Sequence, residues 1–405
     1  MTGRRLEPAA RPGRALDGGI DLLPAVSGPD DFVFVREGAG VTGDGVASRA
    51  LVEAGPAHIL RAAEVAEGLV AAAGRRDVVV VGALPFAGDV PALLTIPTKT
   101  VIRDLHGHVA EVTVEATELA PWSTSTNGAH AGAAPPDASP AQYLAAVREA
   151  LRRIDAGELR KVVLARSRTV AAPADPAMVL RRLAARDPHC HVFASAIPGR
   201  GVIAGATPEV LLRRRGDLVF STPLAGSAAR GGDGTSDRDA ADRLFASAKD
   251  RAEHRLVVEA VADTLAPLCL DLRVDSAPSL SGTATVWHLA TNVRGVLRDR
   301  DLSALALAAR LHPTPAVCGV PRDIARAAIA ELEPVPRGFY AGLVGWVDGA
   351  GDGEWAITLR CAEMRDGVAT LFAGAGIIEG SDPESELAET EMKFRAQVEA
   401  LRTGV

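Results

Sequence analysis

Strand-sized and helix-sized patterns in this chain come in runs, not in strict alternation, which disfavours an open parallel sheet and points to an α+β architecture. The run FVFV at 32–35, the buried-looking VVVVGAL at 78–84 and the alternating stretch 99–116 read as strands. An Ala-rich helical pattern at 57–73 lies among them. After a helix at 141–156, strands are expected at 159–170, 191–196, 202–206, 209–214 and 218–222. A long helix at 238–267 follows, then a strand at 283–293 and helices at 301–311 and 321–332. Strands at 340–348, 354–365 and 368–375 lead into a last helix at 383–402, with Ser381 or Asp382 as its cap and Pro383 in its first turn.

The segment STSTNGAHAGAAPPDASP at 123–140 is the clearest linker or exposed loop. It separates an N-terminal part, 21–122, from a larger region, 141–402, and residues 1–20 read as a loose tail. With 47% hydrophobic residues but only 4% aromatics, Ala, Val and Leu must fill most of a large core. A net charge of −7 argues against nucleic acid or an anionic membrane as partner. A small anionic substrate in a local Arg/Lys pocket is compatible with that charge. Four scattered cysteines (Cys190, Cys269, Cys318, Cys361) form no C-x-x-C, which favours a reducing cytoplasm over a zinc or disulfide framework. The first twenty residues hold no apolar stretch of the signal-peptide kind, and the longest apolar run is strand-sized. The protein is expected to be cytoplasmic and monomeric.

Two acidic pairs carry the strongest chemical signal that spacing alone provides. Asp250 with Glu253, and Glu386 with Glu389, each stand three apart in a helical segment, so both members share a face. The first pair faces the same way as Leu256, Val257 and Ala260. Carboxylates on a buried face need neutralisation. Two such helices suggest a shared hard cation such as Mg²⁺, held by carboxylates, water and substrate. The plainer reading is two solvated helix faces with ordinary salt bridges. No P-loop and no G-x-S-x-G elbow occur, and Gly374-Ala-Gly376 misses the dinucleotide fingerprint by one position.

Ten ordered strings are more specific: KVVLAR (161–166), GATPEVLLRR (205–214), STPLAGSAAR (221–230), SAKDRAEHRL (247–256), WHLATNVRG (287–295), LHPTPAVCG (311–319), RGFYAGLVGW (337–346), LRCAEM (359–364), LFAGAGII (371–378) and ESELAETEMKF (384–394). Over 141–402 the chain resembles the chorismate-utilising enzymes, which include isochorismate, anthranilate, aminodeoxychorismate and salicylate synthases. The resemblance implies one large α+β fold with two stacked antiparallel sheets flanked by helices, and the linker as a loop within it. It also implies Mg²⁺ and a chorismate-like dicarboxylate. Glu253 and Glu389 would be direct metal ligands, with Asp250 and Glu386 acting through metal-bound water.

Lys161 then matches the family's general base and Glu209 its general acid. A Lys with an ordinary pKa of about 10.4 is a poor base, so burial near Mg²⁺ and Arg360 is expected to lower it. Glu209 must be raised by burial to donate a proton near neutrality. Arg360 and Tyr340 match residues that hold the enolpyruvyl carboxylate. Gly226, Ser227, Gly374, Ala375 and Gly376 would offer backbone N–H groups, and Lys393 a charge near a carboxylate. His312, Ala316 and Thr285 are expected to line the pocket.

Several positions sort the subclasses. Members that use ammonia carry Gln where Lys161 stands, aminodeoxychorismate synthases carry Lys where Ala225 stands, and salicylate synthases carry Thr where Ala316 stands. Val317 and Tyr340 depart from the Leu and Phe of some siderophore-type members. The expected activity is Mg²⁺-dependent isochorismate synthesis from chorismate, with a salicylate synthase or an amidotransferase partner subunit as rivals. Catechol siderophores, menaquinone and secondary metabolites all remain open as the pathway served.

Overall fold

The computed structural model describes residues 30–115, 137–171, 176–199 and 201–401. The tail 1–20 and most of the 123–140 segment lie outside the described residues.

Every strand pairing is antiparallel, and the strands form two large sheets and one small one. The ten-stranded sheet runs Gly319–Val320, Lys161–Ala171, Val368–Ile378, Cys361–Arg365, Gly201–Thr207, His191–Ile197, Phe32–Arg36, Ala39–Asp44, Lys99–Arg103 and Val109–Thr113. The nine-stranded sheet runs Cys269–Val274, Val293–Leu297, Leu218–Ser221, Val210–Arg215, Gly353–Ile357, Leu343–Asp348, Val79–Leu84, Ala92–Ile96 and Ser48–Val52. Strands from before and after the 123–140 segment therefore share both large sheets. A third sheet of Leu224–Ala229, Val286–Ala290 and Ser279–Gly282 was not anticipated from the sequence.

Strand alternation builds two cores from one strand. Phe32 and Phe34 join the core that also holds Val80, Leu84, Leu164, Trp355 and Ile357 from both large sheets. Val33 and Val35 point the other way, into a second core with Val179, Leu180 and Leu183 of helix Pro176–Arg186 and Phe394 of helix Pro383–Leu401. The ten-stranded sheet is thus covered on both faces, which is why its strands read as continuous apolar runs.

Three sequence expectations change in ways that matter for the site. The helix expected at 238–267 is two helices, Gly234–Ala246 and Ala248–Leu265. Ser247 is extended (ψ 116°) and its hydroxyl accepts the Asp250 N–H at 3.2 Å, so a new helix starts there. Ala-rich helical periodicity continues across this break, so only the cap geometry reveals it. The strand expected at 354–365 is also two, Gly353–Ile357 in one large sheet and Cys361–Arg365 in the other. The strand expected at 283–293 divides at the Thr291-Asn292 step between the small and the nine-stranded sheets. At the last helix, Asp382 supplies the cap, accepting the Ser385 N–H at 2.9 Å.

Replacing Ser247 by Ala removes the cap that starts the acidic helix. We expect a loss of about 1 kcal/mol in urea unfolding, the usual cost of a missing hydroxyl cap, with far-UV circular dichroism unchanged.

Candidate active site

Two ribbons cross from one large sheet to the other side by side. The first passes from Gly201–Thr207 to Val210–Arg215 through Pro208 and Glu209. The second passes from Gly353–Ile357 to Cys361–Arg365 through Thr358, Leu359 and Arg360. They stay paired on both sides of the crossing, Gly205 opposite Cys361 and Val210 opposite Ala356. At the bend the Ile357 N–H donates to Glu209 O at 3.0 Å and the Ala206 N–H to Arg360 O at 3.2 Å. Glu209 and Arg360 are therefore presented together. Arg360 adopts a left-handed conformation (φ 49°), as does Ala341 (φ 59°). Such strain in a non-glycine residue persists only where surrounding structure enforces it.

A cleft opens at this seam. Its wall includes Glu209, Gly226, Ser227, Asp250, Glu253, Ala316, Tyr340, Arg360, Gly374, Gly376, Glu386, Glu389 and Lys393. Nearly every residue singled out by the sequence is thus gathered from eight separate segments. Lys161 stands just behind the wall, fully buried, with Nζ 2.8 Å from Glu253 Oε1 but without the alignment of a hydrogen bond.

Besides Lys161, three nominated residues do not belong to the wall. Ala375 lies between Gly374 and Gly376 on an extended strand, so its side chain points to the opposite face. His312 is buried behind the cleft: its Nε2 lies 2.8 Å from Ala341 O and its ring meets Phe86 edge-on at 5.8 Å. Burial pushes its imidazole down to about 3, so it is neutral. It braces the strained Ala341 and does not face the cleft. Thr285 lines a separate, smaller cavity behind Arg360.

The electrostatics follow from burial. Glu209 is 3% exposed, and burial pushes its carboxyl up to about 8 against the opposing pull of Lys161, the Leu224 N–H and Arg360. Arg360 makes no ion pair among the described residues, and its Nη2 is buried without a partner. A desolvated, unpaired guanidinium nitrogen in a cleft wall is suited to an anion. Burial also pushes the Tyr340 hydroxyl up to about 12, so it is a neutral donor; the ring stacks on Phe372 at 5.2 Å. Asp250 and Glu386 are raised by burial and by repulsion from Glu253 and Glu389 respectively.

Three wall residues escaped sequence reasoning, although each lies inside a string that carried the resemblance. His288 is fully desolvated, and burial together with Arg360 and Lys393 pushes it down to about 3. Its Nδ1 lies 3.1 Å from Gly226 O, an acceptor, so Nδ1 carries the proton. Nε2, buried and unpartnered, is left as an acceptor. Lys249 sits at the cleft mouth, 3.2 Å from Glu386 Oε1. Arg337 is buried and holds the wall together: it pairs with Glu333 at 2.5 Å and donates to Val317 O at 2.7 Å and Val163 O at 2.8 Å. Arg and Lys spacing gives no hint of which of 44 cations point inward.

Close approach explains two glycines. A Cβ on Gly376 would stand 2.4 Å from Glu253 Oε1, and one on Gly226 3.0 Å from Asp250 Cβ. Gly226 also has φ +72° and marks a bulge in its pairing with Val286–Ala290.

A family model described as "Chorismate binding enzyme" matches residues 97–402. The chain belongs to the chorismate-binding enzymes. Isochorismate synthase DhbC of Bacillus subtilis (strain 168) is 46% identical over 275 residues, covering 66% of this chain and 69% of that relative. Isochorismate synthase EntC of Escherichia coli (strain K12) is 40% identical over 327 residues, 80% and 81% of the two chains. A crystal structure titled as a putative 2,3-dihydroxybenzoate-specific isochorismate synthase, DhbC from Bacillus anthracis, superposes with a TM-score of 0.79 at 34% identity, covering 94% and 98%. As a chorismate-binding enzyme the chain has stacked antiparallel sheets with helices, as the sequence implied. No described helix is long and apolar enough to cross a membrane.

Replacing Arg337 by Met would leave the Glu333 carboxylate buried without its cation. We expect a loss of about 3–5 kcal/mol, the scale for breaking a buried pair from one side, read as a fall in the thermal midpoint.

Proposed function

We propose that this chain is an isochorismate synthase, converting chorismate to isochorismate. One observation carries the reading within the family: a fully buried carboxyl, Glu209, keeps its proton at neutral pH within the electrostatic reach of Lys161. The relatives named isochorismate synthases support it.

In the reaction one water enters and one leaves. A bond forms between water oxygen and ring C2, the two ring double bonds shift, and the C4–O bond breaks. Lys161 takes the proton from the entering water, and Glu209 gives its proton to the departing hydroxyl. Well-placed acid and base groups contribute roughly 10²–10⁴-fold each. Arg360, with its unpaired Nη2, holds the enolpyruvyl carboxylate, and Tyr340 donates a hydroxyl beside it. His288 Nε2 accepts a hydrogen bond from a substrate hydroxyl. Ala316 and Val317 give this part of the wall no hydroxyl, in keeping with a reaction that stops before pyruvate is eliminated.

The four carboxylates form an all-oxygen donor set of the kind Mg²⁺ selects. Their mutual repulsion in a buried wall fits a cation, and the missing Cβ atoms of Gly376 and Gly226 leave room for Glu253 and Asp250 against the backbone. Glu253 and Glu389 would hold the ion directly, Asp250 and Glu386 through water. When bound, Mg²⁺ would offset the charge of the ring carboxylate and orient the substrate. The reading covers a cytoplasmic, monomeric enzyme with chorismate as its small-molecule partner.

Incubation with chorismate and Mg²⁺ should give isochorismate by product chromatography; salicylate and pyruvate as main products would overturn the subclass. Glu209→Gln and Lys161→Ala should each lower kcat by roughly 10²-fold or more with the circular dichroism of the wild type. Because Glu209 must be protonated to act, kcat/KM should be sustained through neutral pH and fall as pH rises through about 8. A profile flat to pH 10 would remove Glu209 from the role of acid. Glu389→Ala should raise the Mg²⁺ concentration for half-maximal rate; an unchanged metal titration would count against its ligand role.

A further inference from the structure

Three of the four carboxylates assigned to the metal already carry a lysine. Lys161 stands 2.8 Å from Glu253, Lys393 2.5 Å from Glu389 and Lys249 3.2 Å from Glu386. Asp250 has no ion pair among the described residues. Nor, among those residues, do three acidic, His or Cys side chains converge closely enough to hold an ion as they stand. A dication would therefore compete with a lysine ammonium for three of these carboxylates.

The three lysines differ in what holds them. Lys161 is wholly buried. Lys393 is buried too, and donates a second bond to Gly374 O at 2.6 Å, which ties it to the wall. Lys249 stands at the mouth with its side chain 43% exposed, and Glu386 is its one ion-pair partner among the described residues. Its ammonium can move into water at small cost, because a long, half-exposed lysine loses little when its head is rehydrated. Glu386 cannot follow, since its side chain is 6% exposed.

We propose that Lys249 is a tethered counter-ion of the metal site. In the absence of metal it neutralises buried Glu386 and bridges the helices Ala248–Leu265 and Pro383–Leu401. On loading it releases Glu386 to the ion and its water and swings outward. Lys249 and the dication compete for one carboxylate, so the lysine weakens metal binding while protecting the metal-free fold. The proposal rests on the metal reading above.

Calorimetric titration of the full chain with Mg²⁺, without chorismate, tests it on the wild type, Lys249→Met and Lys249→Arg. The Met variant should bind Mg²⁺ about fivefold more tightly, the scale of losing one part-exposed ion pair, and the Arg variant should stay near the wild type. Metal-free Lys249→Met should melt below the wild type and gain more from added Mg²⁺. Equal or weaker Mg²⁺ binding by Lys249→Met overturns the proposal while leaving the metal reading intact. A wild-type protein that binds no Mg²⁺ overturns the metal reading, and the counter-ion with it.

Discussion

The whole site depends on a pair of ribbons that change sheets together. Residues 201–215 and 353–365 remain hydrogen-bonded to each other while each leaves one large sheet and enters the other. A backbone that bends this sharply between two packed layers cannot keep its side chains in regular alternation. Glu209 and Arg360 fall at the bends between the layers, and Arg360 is held there in a left-handed conformation. A cleft at such a seam has rigid walls, because the two large sheets share one core and the ten-stranded sheet packs against helices through a second. Rigid walls hold Glu209 and Arg360 in place without the entropy cost of ordering loops.

Charge balance is the second governing constraint. The cleft holds four carboxylates on two helices, and Lys161, Lys249 and Lys393 answer three of them. Glu209 is kept apart from this balance by staying protonated, which burial achieves despite nearby cations. Arg360 is left with a buried nitrogen that has no partner. The buried acids and the unpaired Arg360 nitrogen thus leave the site with charges that its own described residues do not fully answer.

In the wall and behind it, buried polar groups do the fastening. Arg337 ties the strand after Lys161, through Val163 O, to the Ala316–Val317 segment, through Val317 O. Its partner Glu333 accepts the Ala165 N–H at 2.8 Å from the same strand. His312 holds Ala341 O in a similar way. The Arg337–Glu333 network, in a low-dielectric interior, fixes geometry more than it adds stability.

Much of this was legible in the residues. The acidic pairs, Lys161, Glu209, Arg360 and Tyr340 stand in strings specific enough to reveal the family, and their types state the chemistry. Strand and helix periodicity located most elements, because core-facing positions must repeat every two or 3.6 residues. The sequence alone could not place the breaks at Ser247 and at Thr358–Arg360, because a cap or a sheet change leaves the hydrophobic pattern running on. Nor could it show that Ala375 and His312 turn away from the cleft while His288, Lys249 and Arg337 turn toward it. Residue types and their order determined which reaction this chain is equipped for. The tertiary structure decided which side chains meet, since burial, charge pairing and proton affinity arise only when distant segments are packed against one another.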